Sequence, residues 1–360
     1  MTAKELHKRQ IVVLGAGYAG LMAALRLAPH HHVTLVDSNA GFSERVRLHE
    51  LAAGHRESVA HPFTGLLHGT GIRHVATYAT AIDLAAHQVT TADDRHIPYD
   101  RLVYALGSHT PTPGGSRAHT AATASSLRKR LLKGPGKLIV VGGGLTGIEM
   151  AAELAEAYPR WQVGLVTAGL VGAGLSDRGR AHIRTTLTTL GVHVEEGRRV
   201  TSADTIDADA VVWAAAMIAN TQLAATAGLA VDDADRVRTD PALRSLSHPE
   251  VLAAGDCAAG HRMACATALP TGAHAAATVL AEARGQEPDA LRLRLVVQCI
   301  SLGRQDGLIQ FVRPDDSPRV RILTGRSAAW VKERVVRSTV RSLQLAAKHP
   351  RLAQYAAGIG

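Results

Sequence analysis

Three glycines in Gly15-Ala16-Gly17-Tyr18-Ala19-Gly20 mark a tight turn, and Gly142-Gly143-Gly144-Leu145-Thr146-Gly147 repeats it 127 residues later. Ile11-Val12-Val13-Leu14 leads into the first turn and Leu138-Ile139-Val140-Val141 into the second. Both runs read as parallel strands buried on two faces. A helix is expected after each turn, over residues 21–27 and 148–157. In this frame Gly15 permits the turn, Gly17 lets the backbone approach a pyrophosphate, and Gly20 lets helix pack on strand. Gly142, Gly144 and Gly147 take the same three roles, with Thr146 at the second helix start. The helix N-terminal amides then face the phosphate. One such turn is a weak signal; two, each with its strand, imply two dinucleotides held by one chain.

The strands that follow separate the two sites. Val33-Thr34-Leu35-Val36 ends in Asp37, placed to accept hydrogen bonds from a ribose 2′-hydroxyl. The matching strand, residues 162–166, ends in Thr167. Without a carboxylate there, nothing repels a 2′-phosphate, so NADPH is favoured over NADH. Arg178 and Arg180 lie downstream but form no decisive phosphate clamp. Two further strands end in small-residue turns, one at Ala105-Leu106-Gly107-Ser108 and one at Ala254-Gly255-Asp256-Cys257. Asp256 is placed to accept a hydrogen bond from a flavin ribityl hydroxyl, and a helix after Pro270 to aim its positive end at the flavin ring.

A chain of 360 residues suits two to three domains with real cores. No eighteen-residue apolar run is present, residues 1–10 lack the apolar core of a secretory signal, and three cysteines make no disulfide framework. These features point to a cytoplasmic protein. Its net charge of +9 is concentrated toward the end, where residues 304–351 carry a net +7. Within them, residues 330–348 read as an amphipathic helix, with Arg334, Arg337, Arg341 and Lys348 on one side and Val336, Val340, Leu343 and Ala347 on another. Such a helix either docks on its own protein or lies on anionic lipid at the inner membrane face. Scarce aromatics there argue against nucleic acid as a partner; oligomerisation is left open. His30-His31-His32 reads as a solvated turn, since three adjacent histidines cannot all face one metal.

Taken in order, Gly15 to Gly20, residues 104–107, residues 142–149, Val211-Val212-Trp213-Ala214-Ala215 and Ala254-Gly255-Asp256 resemble the two-dinucleotide flavoproteins of the pyridine nucleotide–disulfide oxidoreductase superfamily. The chain is most similar to their type II NADH dehydrogenase-like and apoptosis-inducing-factor-like branch. The resemblance implies an α/β protein with two Rossmann-like domains, for FAD and NAD(P)H, and a small α+β C-terminal region. The expected division is residues 1–112 and 236–285 for FAD, 113–235 for NAD(P)H, and 286–360 for the C-terminal region. Gly15, Gly17, Tyr18, Ala19, Gly20 and Asp37 are then expected at the adenosine end of FAD, with Ala105, Gly107, Gly255, Asp256 and Ala273 toward the flavin. Glu149 matches an acid near the meeting point of nicotinamide and flavin.

The departures narrow the chemistry. Gly41-Phe42-Ser43-Glu44-Arg45-Val46-Arg47 has no cysteine where the disulfide reductases carry a pair, and the second fold has no Cys-x-x-Cys. Disulfide exchange at those positions is excluded, and sulfide oxidation lacks its cysteines. Cys257 and Cys265 read as buried free thiols, although a meeting near the flavin stays open. Two glutamines that help hold quinone in type II dehydrogenases fall on alanines in Pro270-Thr271-Gly272-Ala273-His274-Ala275-Ala276-Ala277. His274 is the polar side chain left there, to donate a proton or to satisfy a backbone carbonyl. The resulting expectation is hydride transfer from NAD(P)H to FAD, then electrons to a quinone-like or other small acceptor beside residues 270–277. The alternatives are a biosynthetic flavin enzyme with a specific small substrate, or a non-enzymatic flavoprotein that binds through its basic tail.

Overall fold

The computed structural model describes residues 8–111 and 117–349. Residues 1–7, the expected junction at 112–113 and Arg351 therefore lie outside the described residues. Two five-stranded parallel sheets organise the chain, in agreement with the expected α/β class. In the first, the order is Val251–Ala253, Arg101–Tyr104, Gln10–Leu14, His32–Val36, Arg73–Val75. In the second it is Ala118–His119, Ala210–Trp213, Lys137–Val141, Gln162–Thr167, His193–Glu196. In each sheet the strand before the glycine turn lies centrally. Ile11 to Leu14 and Leu138 to Val141 are buried throughout, which is why they read as unbroken apolar runs.

The helix Tyr18–Leu27 packs on the first sheet beside a long helix, Cys265–Ala283, and their shared core includes Leu21, Leu25, Ala275, Ala276 and Val279. The proline therefore sits inside its helix, which starts five residues earlier than expected. Thr267 holds the extra turn, its hydroxyl donating to the carbonyls of Arg262 and Ala264, both at 2.8 Å. The proline gives up the helical bond to the carbonyl of Ala266, an exposed residue of the first turn.

The chain leaves the first domain and returns to it through one antiparallel pair, Ser108–His109 against Ile218–Ala219. After the return, Ala224 and Leu229 enter the core of the first sheet with Val12, Leu14 and Val251. The return thus falls near residue 218, earlier than the expected boundary at 235–236. Apolar spacing in residues 222–229 does not reveal which sheet it serves.

The C-terminal region is an antiparallel sheet, Val297–Ser301, Gly307–Val312 and Pro318–Thr324, followed by the helix Gly325–Lys348. Ala328, Lys332, Val336, Thr339, Leu343 and Ala346 form its buried stripe, while Arg334, Arg337 and Arg341 are exposed. Leu343 and Ala346 join the core of the first domain. The helix docks on its own protein along the apolar side. His31 also departs from expectation: it is buried, accepting a hydrogen bond from the Arg9 amide at 3.4 Å, and burial lowers its pKa to about 4.

Candidate functional site

Both glycine turns have the same internal geometry. Gly15 (φ +90°) lies against the Ala105 carbonyl, and a Cβ on Gly20 would collide with the Gly15 carbonyl oxygen. Gly142 (φ +122°) lies against the Ala214 carbonyl in the same way, and Gly147 against Gly142. The middle glycines differ: a Cβ on Gly17 or Gly144 would meet nothing within 4 Å. Each of these two caps its helix without a side-chain hydrogen bond, so no capping side chain occupies the first-turn amides. This is a packed turn with an open anion-binding mouth, twice over. Thr146 is exposed at the second mouth, and Ala19 and Tyr18 are buried behind the first.

Asp37 stands at the first mouth. Its Oδ2 accepts from the Ala16 amide at 2.7 Å and its Oδ1 from the Asn39 amide at 2.8 Å, which fixes the carboxylate at the expected ribose position. Farther along, Asp256 accepts from the Ser108 hydroxyl at 2.6 Å, joining the Gly107 and Gly255 turns, both with positive φ. The Gly255 amide donates to the Thr271 hydroxyl at 2.9 Å, which holds this turn on the proline-bearing helix. Two open mouths, a ribose acid and a second acid at the far turn fit FAD in the first domain and a nicotinamide nucleotide in the second. Ala105 and Ala273, both nearly fully buried, belong to the core behind the first mouth.

The two catalytic candidates occupy different surroundings. His274 lies among Arg26, Asp240 and Asp289, and burial, its largest influence, lowers its pKa. Its Nε2 is buried without a hydrogen-bond partner. The helix around it packs tightly, with Gly272 against the Ala19 backbone. Residues 270–277 thus offer little room for an acceptor, because this segment is the helix interior rather than its start.

Glu149 sits in a polar junction. It pairs with the Lys332 ammonium from the C-terminal helix, accepts from the Ser301 amide at 3.0 Å, and has His49 Nδ1 3.9 Å from its second oxygen. Burial lowers Lys332 to about 7, against the pull of the Glu50 and Glu333 carboxylates. Residues 45–49 connect this junction to the flavin side. Arg45 donates to the Ser108 carbonyl at 2.8 Å, and two residues on, Arg47 is buried among Glu44, Glu50 and Glu333. Burial would raise Glu333, but hydrogen bonds from Arg47 and Arg337 outweigh it and hold that carboxyl at about 2.

Lys332 and His49 escape a reading of the chain alone. Lys332 does leave a trace, as a charge on the Ala328–Val336–Leu343 stripe where an apolar residue belongs. His49 leaves none, since its helix spans only Leu48–Ala52. Cys257 donates to the Gly107 carbonyl at 3.2 Å and burial pushes it up to about 12. Burial likewise raises Cys265, and it pushes Cys299 up to about 11, with Cys265 adding to the rise.

Paired dinucleotide cradles on two parallel sheets define an oxidoreductase of the NAD(P)H-dependent flavoprotein class. The chain belongs to the pyridine nucleotide-disulphide oxidoreductase family, whose model matches residues 9–277. It is 32% identical to a NADH dehydrogenase-like protein of Mycobacterium tuberculosis, over 82% of this chain and 86% of that protein. Identity to the demethylphylloquinone reductase of Synechocystis is 27%, covering 74% of this chain and 76% of the other. In fold it is similar to the sulfide:quinone oxidoreductase of Aquifex aeolicus, with a TM-score of 0.79 and 18% identity over 94% and 92% of the two chains.

Proposed function

We propose that this flavoprotein passes electrons from NADPH to a quinone-like small acceptor held beside Glu149 and Lys332, without a redox-active disulfide. The buried Glu149–Lys332 pair carries the reading. A lysine brought from the C-terminal helix to the second nucleotide helix is costly to bury, and its ammonium is suited to hydrogen-bond a carbonyl oxygen that gains charge on reduction. The quinone reductase named among the relatives points the same way. Bound FAD supplies the two-electron exchange.

The chain's own residues bind and orient. The Gly17 and Gly144 mouths hold pyrophosphates, Asp37 a ribose, and Asp256 a ribityl hydroxyl. Lys332, held by Glu149, offers charge and a proton to the acceptor. The thiols of Cys257, Cys265 and Cys299, all raised by burial, stay protonated and unreactive near neutral pH. NADPH as donor is supported by Thr167, which packs under Gly143 with no carboxylate at the strand end. Arg198 lies beside it, its amide donating to the Thr167 carbonyl at 3.0 Å.

The test is Lys332→Met with menadione as acceptor. A lysine lowered to about 7 is charged below that pH and neutral above it. Menadione reduction by the wild type should therefore fall as pH rises through about 7, and the variant should lose this limb together with at least about tenfold in rate. A variant with the wild-type rate and profile would overturn the assignment.

The exposed side of the C-terminal helix supports a second partner, an anionic membrane surface. Trp330 is 64% exposed, with Arg334 over its ring, and Val335 and Leu345 accompany Arg326, Arg337 and Arg341. On the strand running into the helix, Val320 and Leu323 are exposed beside Arg319 and Arg321. Apolar side chains among arginines suit the headgroup boundary. Among the described residues no helix is long and apolar enough to cross a membrane.

A further inference from the structure

Glu149 and Glu153 are four residues apart on the helix Leu145–Ala157 and share one face. His49, on the helix Leu48–Ala52, stands against both. Its Nδ1 is 3.9 Å from Glu149 Oε2 and its Nε2 is 3.9 Å from Glu153 Oε1. On the far side of Glu153, His55 Nε2 is 3.4 Å from Oε2. From Lys332 and Glu149 the line runs through His49 and the fully buried Glu153 to His55, whose side chain is 29% exposed.

We propose that His55, Glu153 and His49 form a proton path from solvent to the Glu149–Lys332 pair. The proposal rests on the acceptor reading above. Its demand is set by stoichiometry. Reducing a quinone with NAD(P)H gives NAD(P)⁺ and hydroquinone, and takes up one proton from water per two electrons. The nicotinamide is oxidised, the quinone reduced, and its second oxygen needs that proton at the Glu149–Lys332 pair, where the C-terminal helix packs. Along the path, Glu153 gives its proton to His49 Nε2 and recovers one from His55, which takes its own from water at its exposed edge. His49 gives the proton on Nδ1 to Glu149, and the imidazole returns by tautomer exchange.

A purely structural cluster would close its hydrogen bonds. The neighbouring Arg47 does so, reaching Glu44, Glu50 and Glu333 at 2.7–3.0 Å. His49 Nε2 and Glu153 Oε2 are instead buried without hydrogen-bond partners. Small ring rotations would close the 3.9 Å gaps one at a time, as a relay requires. Ser301 keeps Glu153 in line, donating to Oε1 at 2.7 Å.

Burial also tunes the partners. It raises Glu153, with Glu50 and Glu156 adding and Arg304 and Ser301 opposing. It lowers His49, which also faces Lys332, Arg304, Arg47 and His55. His55 is lowered too, by burial and then Arg304, against Glu156 and Glu50. Each group is thereby moved toward its neutral form, and no separated charge is left buried when each takes up a proton as it gives one away.

The experiment compares menadione, which takes up protons on reduction, with ferricyanide, which does not, using the purified full-length flavoprotein. Glu153→Gln keeps volume and hydrogen bonding, and His55→Ala alters the solvent end. In both, the menadione-to-ferricyanide rate ratio should fall at least about tenfold. The deficit should widen as pH rises, and the solvent deuterium effect on the menadione rate should increase. An unchanged ratio, whether both rates hold or both fall together, overturns the path. A wild type that reduces ferricyanide and no menadione overturns the acceptor reading and the path with it. A wild type active on both, with an unchanged ratio in both variants, overturns the path alone.

Discussion

Three glycines in each turn do three different jobs, and substitution should separate them. Gly17 has φ −73° and open space at its Cβ position, so a valine there fits the fold. It would fill the mouth that a pyrophosphate needs. Gly20 has no such room, because its Cβ would strike the Gly15 carbonyl. Gly20→Ala should cost about 1–3 kcal/mol of stability from overpacking, read by denaturant melts of the apoprotein. Gly17→Val should melt like the wild-type apoprotein yet bind FAD at least about tenfold more weakly. Equal loss of stability in both would remove the distinction between packing glycine and phosphate glycine. At this scale the sequence was most informative. Asp37 and Asp256 stand at strand ends whose chemistry is set within a few neighbours. His274 lies inside its helix rather than at its start, because the helix begins at Cys265, upstream of Pro270.

The C-terminal helix does work on both of its faces. Inward, Leu343 and Ala346 enter the first domain's core, Lys332 reaches Glu149, and Glu333 receives a two-pronged contact from Arg47 at 2.9 and 3.0 Å. Removing Arg47 would take away the buried cation shared by Glu44, Glu50 and Glu333 and leave them to His61, Arg56 and Arg337 at the rim, a loss on the order of 3 kcal/mol. Its amphipathic spacing was legible, but the lysine inside the apolar stripe gained meaning only from a partner 183 residues away. Outward, the arginines should carry lipid binding. Reversing Arg334, Arg337 and Arg341 to glutamate removes at least about 1 kcal/mol of attraction per residue. Partition into phosphatidylglycerol-containing vesicles should then fall by about two orders of magnitude, with ferricyanide reduction as the control for folding. Equal binding by the triple variant would reject a membrane role for this face.

At the level of the whole molecule, two parallel sheets are joined by the crossing pair Ser108–His109 and Ile218–Ala219, and the C-terminal helix fastens one to the other. The doubled strand–turn–helix pattern announced both sheets, because each is built from local units with the same glycine logic. The crossing point and the polar junction were hidden for a common reason: both are made by residues far apart in sequence. His49, Glu149 and Lys332 come from three regions, and no local pattern ties them together. The central claim is that the second cradle delivers reducing equivalents to flavin in the first. An anaerobic stopped-flow titration of the purified protein with NADPH and NADH, following flavin absorbance, tests it directly. Rapid bleaching is the expected result, faster with NADPH than with NADH at equal concentration. A flavin that stays oxidised with either nucleotide at saturation would contradict it.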